Sequence, residues 1–171
     1  FGTLYSGRAL EFDGVTDYVV NDLANFRSSD SLGTISAWVK FDVVNVYQTI
    51  FSSGDFGSGN YWIQFYLDNS GILSVSQKAN DTIDRLYYNS ALSADTWYHV
   101  VLTSSGSAYS MFIDGSEVTL TVGTGANNGD WFADTSNRDN LTIGAIKYNS
   151  TISNYTNGKL TNVQVWDKAW S

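Results

Sequence analysis

The chain has a single histidine, His99, set in the stretch DTWYHVV over residues 95–101. A histidine becomes a catalytic base when a serine or cysteine lies within hydrogen-bond reach and a carboxylate orients its ring. The chain has no cysteine, and no G-x-S-x-G turn exists to present a serine. Strict alternation puts His99 on one strand face with Trp97, Val101 and Thr103, so it is expected to be a rung of a β-ladder. Glycoside hydrolysis typically needs two carboxylates roughly 5–10 Å apart. The only glutamates are Glu11 and Glu117, distant in sequence and each beside a turn. Aspartates are more plentiful, and Asp serves both tight turns and hard cations. Two groups mix aromatic faces with amides and carboxylates, which suits a binding site for polyhydroxylated ligands. One is Asn127, Asn128, Asp130, Trp131 and Phe132 in a single loop; the other is Trp62, Gln64 and Tyr66 on the non-core face of a strand.

The elements that position these groups are strands. No interior stretch keeps the 3.6-residue apolar period of a helix, whereas period two recurs. In TISAWVKF, Ile35, Ala37, Val39 and Phe41 share one face, and Thr34, Ser36, Trp38 and Lys40 share the other. YWIQFYL sets Ile63, Phe65 and Leu67 against Trp62, Gln64 and Tyr66. Short strands of this kind, separated by DG, DNSG, SSGS and NNGD turns, predict an all-β, antiparallel two-sheet sandwich. Asp13-Gly14 and Asp114-Gly115 are both read as hairpin turns. Two longer loops stand out, Ser52–Asn60 and Gly123–Asn140.

At 171 residues the chain is expected to form one domain over residues 1–171. Phe1-Gly2-Thr3 shows neither an initiator methionine nor a signal pattern, which suggests a module of a longer protein. Acidic residues outnumber basic ones 17 to 9, and no Lys/Arg cluster offsets the net charge of -8, so a phosphate backbone is repelled and nucleic acid is not an expected partner. No apolar run approaches the roughly 20 residues of a membrane helix, so no membrane insertion is expected.

Five segments taken in order carry a family likeness: ALEFDGVTDYV (residues 9–19), TISAWVKF (34–41), WYHVVLTSSGSAYSMFIDG (97–115), NLTIGAI (140–146) and GKLTNVQVWDKAWS (158–171). Together they resemble the laminin-G-like family, the jelly-roll group related to concanavalin A-type lectins and pentraxins. The likeness implies a jelly roll in which the His99 strand is structural and Trp38, Trp97, Trp166 and Trp170 are packing residues. The E-x-D-x-x-E pattern of jelly-roll glucanases is missing, as are the R-x-E-L-R and Q-I-H motifs of jelly-roll alginate lyases; Arg85, Tyr87 and Tyr88 lack a partner histidine. Where relatives carry an acidic pair near the last strand, this chain has Thr161 and Asn162. Laminin-type members also hold a rim calcium between two loops. That implies a Ca2+ shared by Asp55 and one of Asp130, Asp134 and Asp139. The resemblance thus implies a non-catalytic, lectin-like module that binds a glycan or glycoconjugate, extracellular or on a cell or virion surface. The rival expectation is a structural or adhesive domain that binds surface or virion proteins.

Overall fold

Alternating apolar and polar residues can bury one side only by forming strands that face a second layer. The computed structural model describes residues 8–171, so Phe1-Gly2-Thr3 lies outside the described residues. In chain order the strands are β1 (Leu10–Asp13), β2 (Val19–Asn21), β3 (Gly33–Phe41), β4 (Gln48–Gly54), β5 (Tyr61–Leu67), β6 (Ile72–Ala79), β7 (Thr82–Ala91) and β8 (Trp97–Ser104). They continue with β9 (Tyr109–Ile113), β10 (Ser116–Val118), β11 (Leu120–Thr124), β12 (Asn140–Ile143), β13 (Ile146–Tyr148), β14 (Thr151–Ser153) and β15 (Asn157–Trp166). A six-stranded sheet has the order β1-β15-β3-β8-β9-β10, and a seven-stranded sheet the order β11-β7-β6-β5-β4-β12-β2. All neighbours in the two sheets pair antiparallel, giving the jelly-roll sandwich. Strands β13 and β14 form a separate hairpin. Among the described residues no helix is long and apolar enough to cross a membrane.

The core lies where the alternation places it. Ile35, Ala37, Val39 and Phe41 of the first sheet meet Ile63, Phe65 and Leu67 of the second, all fully buried. The same parity sends the family-segment tryptophans outward, contrary to their reading as packing residues. Trp38, Trp97 and Trp166 are 39–42% exposed on the far side of the six-stranded sheet, because core-facing neighbours already occupy the inner positions, and Trp170, beyond the last strand, is 38% exposed beside Trp166.

The turn at Asp13-Gly14 is also not a hairpin. Strand β1 pairs with β15 in one sheet and β2 with β12 in the other, so the turn carries the chain across the sandwich. Asp13 fixes it by accepting N–H bonds from Val15, Thr16 and Asp17, which hold its carboxyl far below the usual carboxylate range. Asp114-Gly115 does close the β9–β10 hairpin, with φ of 51° and 80°.

Candidate functional site

The outer face of the seven-stranded sheet carries the predicted strand trio. Trp62, Gln64 and Tyr66 of β5 sit opposite Lys78, Ser76 and Ser74 of β6. Ile83, Arg85 and Tyr87 of β7 continue the same three rows. The serines are buried, and the β13–β14 hairpin packs beside β4 at the Trp62 end of this face. Gly54 permits that approach: a Cβ there would stand 2.7 Å from the Lys147 carbonyl oxygen. Thr49 N–H donates to the Asn154 carbonyl, and Thr156 Oγ1 to the Thr49 carbonyl, which tie the hairpin down.

Between the hairpin, the 57–60 loop and the sheet lies a cleft of about 670 Å³. Trp62, Tyr148, Lys78, Ile83, Asn60 and Asn149 line it. Trp62 and Tyr148 meet edge to face, with centroids 5.9 Å apart, making an apolar corner with one ring on each wall. Lys78 Nζ donates to the Gly59 carbonyl at 2.9 Å and fixes the loop while keeping its charge at the cleft. The arrangement offers two aromatic faces for apolar C–H surfaces, with amide groups and a cation for hydroxyl or carboxylate oxygens.

The other two members of the trio are buried and lie outside the cleft lining. Gln64 donates to Thr49 Oγ1 at 2.7 Å and is 5% exposed. Tyr66 is equally buried, and that burial is what chiefly raises its phenol pKa. Arg85 remains half-buried beside them, donating to Asp68 Oδ2 at 3.0 Å and lying over the Tyr87 ring at 5.6 Å.

The loop group is placed elsewhere. Trp131 and Phe132 are fully buried members of the core, and neither presents a ring to a ligand. They turn inward because they plug the end of the sandwich, where Trp131 packs at 5.0 Å on Phe132 and Phe132 at 6.1 Å on Phe51. Arg138 pins them from behind. It is buried and donates to the Phe26, Phe132 and Thr135 carbonyls and to Ser53 Oγ. Its guanidinium lies 4.8 Å from the Phe132 ring centroid, and desolvation lowers its pKa to about 10. The amides are also engaged by the protein. Asn127 pairs with the Tyr109 backbone, accepting at 2.6 Å and donating at 3.2 Å. It also lines a smaller cavity of about 310 Å³. Asn128 Nδ2 bridges Asp84 Oδ2 and Asp130 Oδ2, each at 3.0 Å.

The proposed calcium ligands divide in the same way. Asp55 and Asp139 come to adjacent backbone: Asp139 Oδ1 accepts from Phe56 N–H at 3.1 Å, and Asp55 Oδ1 from Gly57 N–H at 2.9 Å. Asp130 and Asp134 lie instead around Trp131, whose backbone N–H donates to Asp134 Oδ2. Among the described residues, no three His, Cys, Asp or Glu side chains gather as a metal-holding group. Asp55 and Asp139 could therefore hold an ion only together with carbonyl oxygens and water.

Glu11 and Glu117 stand on β1 and β10, the opposite edges of the six-stranded sheet. At about 4.8 Å per strand that separates them by roughly 24 Å, too far to flank one glycosidic bond. His99 pairs with Trp38 across β3 and β8, stacked at 5.2 Å, and its backbone bonds Asp114.

Sequence reasoning missed Tyr148 and Asn149, which lie beyond the NLTIGAI strand. The signal was there: Asn149-Ser150, with φ of 49° and 57°, is a two-residue turn between short alternating runs.

No curated protein matches the chain. Among solved structures, the Ruminococcus gnavus IT-sialidase CBM40 superposes with a TM-score of 0.76 at 18% identity, covering 96% of this chain and 94% of that one. The same module has been solved with α2,3- and α2,6-sialyllactose. NanB sialidase of Streptococcus pneumoniae gives 0.73 at 18% identity over 96% of this chain, which spans only 26% of that enzyme. A SAP-like pentraxin of Limulus polyphemus gives 0.64 at 17% identity, covering 94% of this chain and 76% of that one. At these identities the likeness is one of fold. The family-level match is broader: residues 13–171 fit the laminin G-type branch of the concanavalin A-like lectin/glucanases superfamily, and the chain belongs to that family.

Proposed function

We propose that this chain is a non-catalytic carbohydrate-binding module whose ligand lies in the cleft lined by Trp62 and Tyr148, against the corner their rings form. The observation that carries the reading is the pairing of two aromatic walls with Asn60, Asn149 and Lys78 around one open cavity on a sheet face. Aromatic rings take the apolar side of a sugar ring, while amides and the ammonium take its oxygens. The sialyllactose-bound relative of the same fold supports glycans as the ligand class. A shallow site of this kind binds weakly alone and gains avidity from repeated copies. The module acts outside the cell, where such glycans are displayed.

A glycan array probed with multivalent protein tests this directly. It should include α2,3- and α2,6-sialyllactose alongside neutral oligosaccharides. Retention of one glycan class supports the reading, and silence across the array removes it.

Calcium is part of the same proposal, held by Asp55 and Asp139 with neighbouring carbonyls. The expected outcome is a melting midpoint several degrees higher in excess Ca2+ than in EGTA. Identical midpoints would remove the ion from the account.

A further inference from the structure

The outer face of the six-stranded sheet carries four of the chain's six tryptophans. Trp38 on β3 stacks on His99 of β8, with planes tilted by 36°. Trp97 sits opposite Lys40, one row further along the same strand pair. At the other end, Trp166 lies opposite Thr34. Trp170 is drawn back over the sheet because its backbone N–H donates to Thr34 Oγ1 and Thr103 Oγ1, each at 3.1 Å. The Trp166 and Trp170 rings are 5.3 Å apart. Beneath this aromatic layer Thr34, Ser36, Val101 and Thr103 are buried, although they belong to the outward face. An aromatic cluster left partly in water on one sheet face marks an interaction surface.

The charge around it selects the partner. Lys40 is held by Asp95 at 2.9 Å, and Lys159 lies 3.7 Å from Glu11. Asp167 lies 3.8 Å from Arg27. That leaves the exposed carboxylates of Asp42, Asp114 and Glu117 against Lys168 and, at the β1 end, Arg8. A second copy of this chain would bring like charge against like charge, and an anionic glycan would be repelled. Tryptophan is the strongest cation–π partner, and the planar guanidinium of arginine stacks on it better than an ammonium does.

We propose that this face docks a basic protein segment, with arginine side chains laid on Trp38 and Trp97 and their charge turned to the acidic rim. The site is independent of the Trp62 cleft, so either can fail without the other.

The test measures binding of a labelled eight-residue peptide alternating arginine and glycine, beside its lysine analogue and neutral cellohexaose. The arginine peptide should bind several-fold tighter than the lysine one. The paired change Trp38→Ala and Trp97→Ala should weaken it about tenfold or more, whereas Trp62→Ala should leave it unchanged. Glu117→Lys, at an exposed edge, should also weaken it, which keeps the test valid if the tryptophan pair misfolds. Equal binding of the two peptides independent of Trp38 and Trp97, binding of cellohexaose instead, or no binding would each overturn the proposal.

Discussion

Asp84, Asn128 and Asp130 show how single residues decide what the long loop can do. Asp84 is buried on β7 and accepts from Ala126 N–H at 2.7 Å, while Asn128 spans both carboxylates. Gly125, with φ of +69°, is what lets the backbone come that close, since a Cβ there would stand 2.0 Å from Asp84 Oδ1. Desolvation first, and then the charges of Asp134 and Asp84, push the Asp130 carboxyl pKa up. A carboxylate whose folded pKa is raised binds its proton more readily when folded. Stability therefore falls as pH rises through that range and recovers below the unfolded pKa of about 4. Asp130→Asn is expected to raise the melting midpoint at pH 7, with the gain shrinking as pH falls toward about 4 and gone below it. Thermal melts of both proteins across that range check it, and a lower midpoint at pH 7 would contradict it. The same residues show a limit of reading sequence. A WF pair amid Asp and Asn in a loop has the composition of an exposed binding site, and nothing local reveals that Arg138, six residues past Phe132, folds it inward. Trp62 was legible because alternation alone sets its face. Gln64 and Tyr66 share that face, but they are covered by partners that alternation does not reveal, Thr49 for Gln64 and Tyr47 for Tyr66. Trp62→Ala is accordingly expected to reduce glycan retention about tenfold while changing stability by no more than about 1 kcal/mol.

At the scale of elements, the sandwich is legible in the alternation because each strand must bury one row, and that rule needs no long-range information. Strands β3 and β5 bury the whole expected row, Ile35, Ala37, Val39 and Phe41 in one and Ile63, Phe65 and Leu67 in the other. What alternation cannot give is which sheet a strand joins, and so Asp13-Gly14 was read as a hairpin. Pairing of β1 with β15 and of β2 with β12 is fixed by residues more than a hundred positions away. The 125–139 loop behaves as an element in its own right. Three backbone carbonyls and one hydroxyl converge on the Arg138 guanidinium. Removing that donor leaves buried acceptors unpaired, at roughly 1–3 kcal/mol each before relaxation or water entry. Arg138→Leu is expected to cost about 3 kcal/mol or more, with hydrogen exchange accelerated first in residues 125–139. A denaturant midpoint unchanged from the parent chain would show that the loop does not depend on it.

The whole molecule offers two outward faces of different chemistry. The seven-stranded sheet presents a cleft with two aromatic walls, amides and a lysine. The six-stranded sheet presents a broad tryptophan layer inside an acidic rim. Family resemblance pointed to the sandwich and to binding rather than catalysis as its use. It gave the tryptophans of the second face a packing role, whereas they cover that face while staying 38–42% exposed. Neither face is predicted by composition, because both depend on which strands lie side by side. Glycan binding belongs to the first face. A titration of isotopically labelled protein with the glycan retained on the array, followed by NMR, tests it most directly. The largest shifts should fall on the Trp62 indole N–H and the side-chain amides of Asn60 and Asn149. Shifts gathered instead at Asn127 and Asn128, or at Trp38 and Trp97, would contradict it.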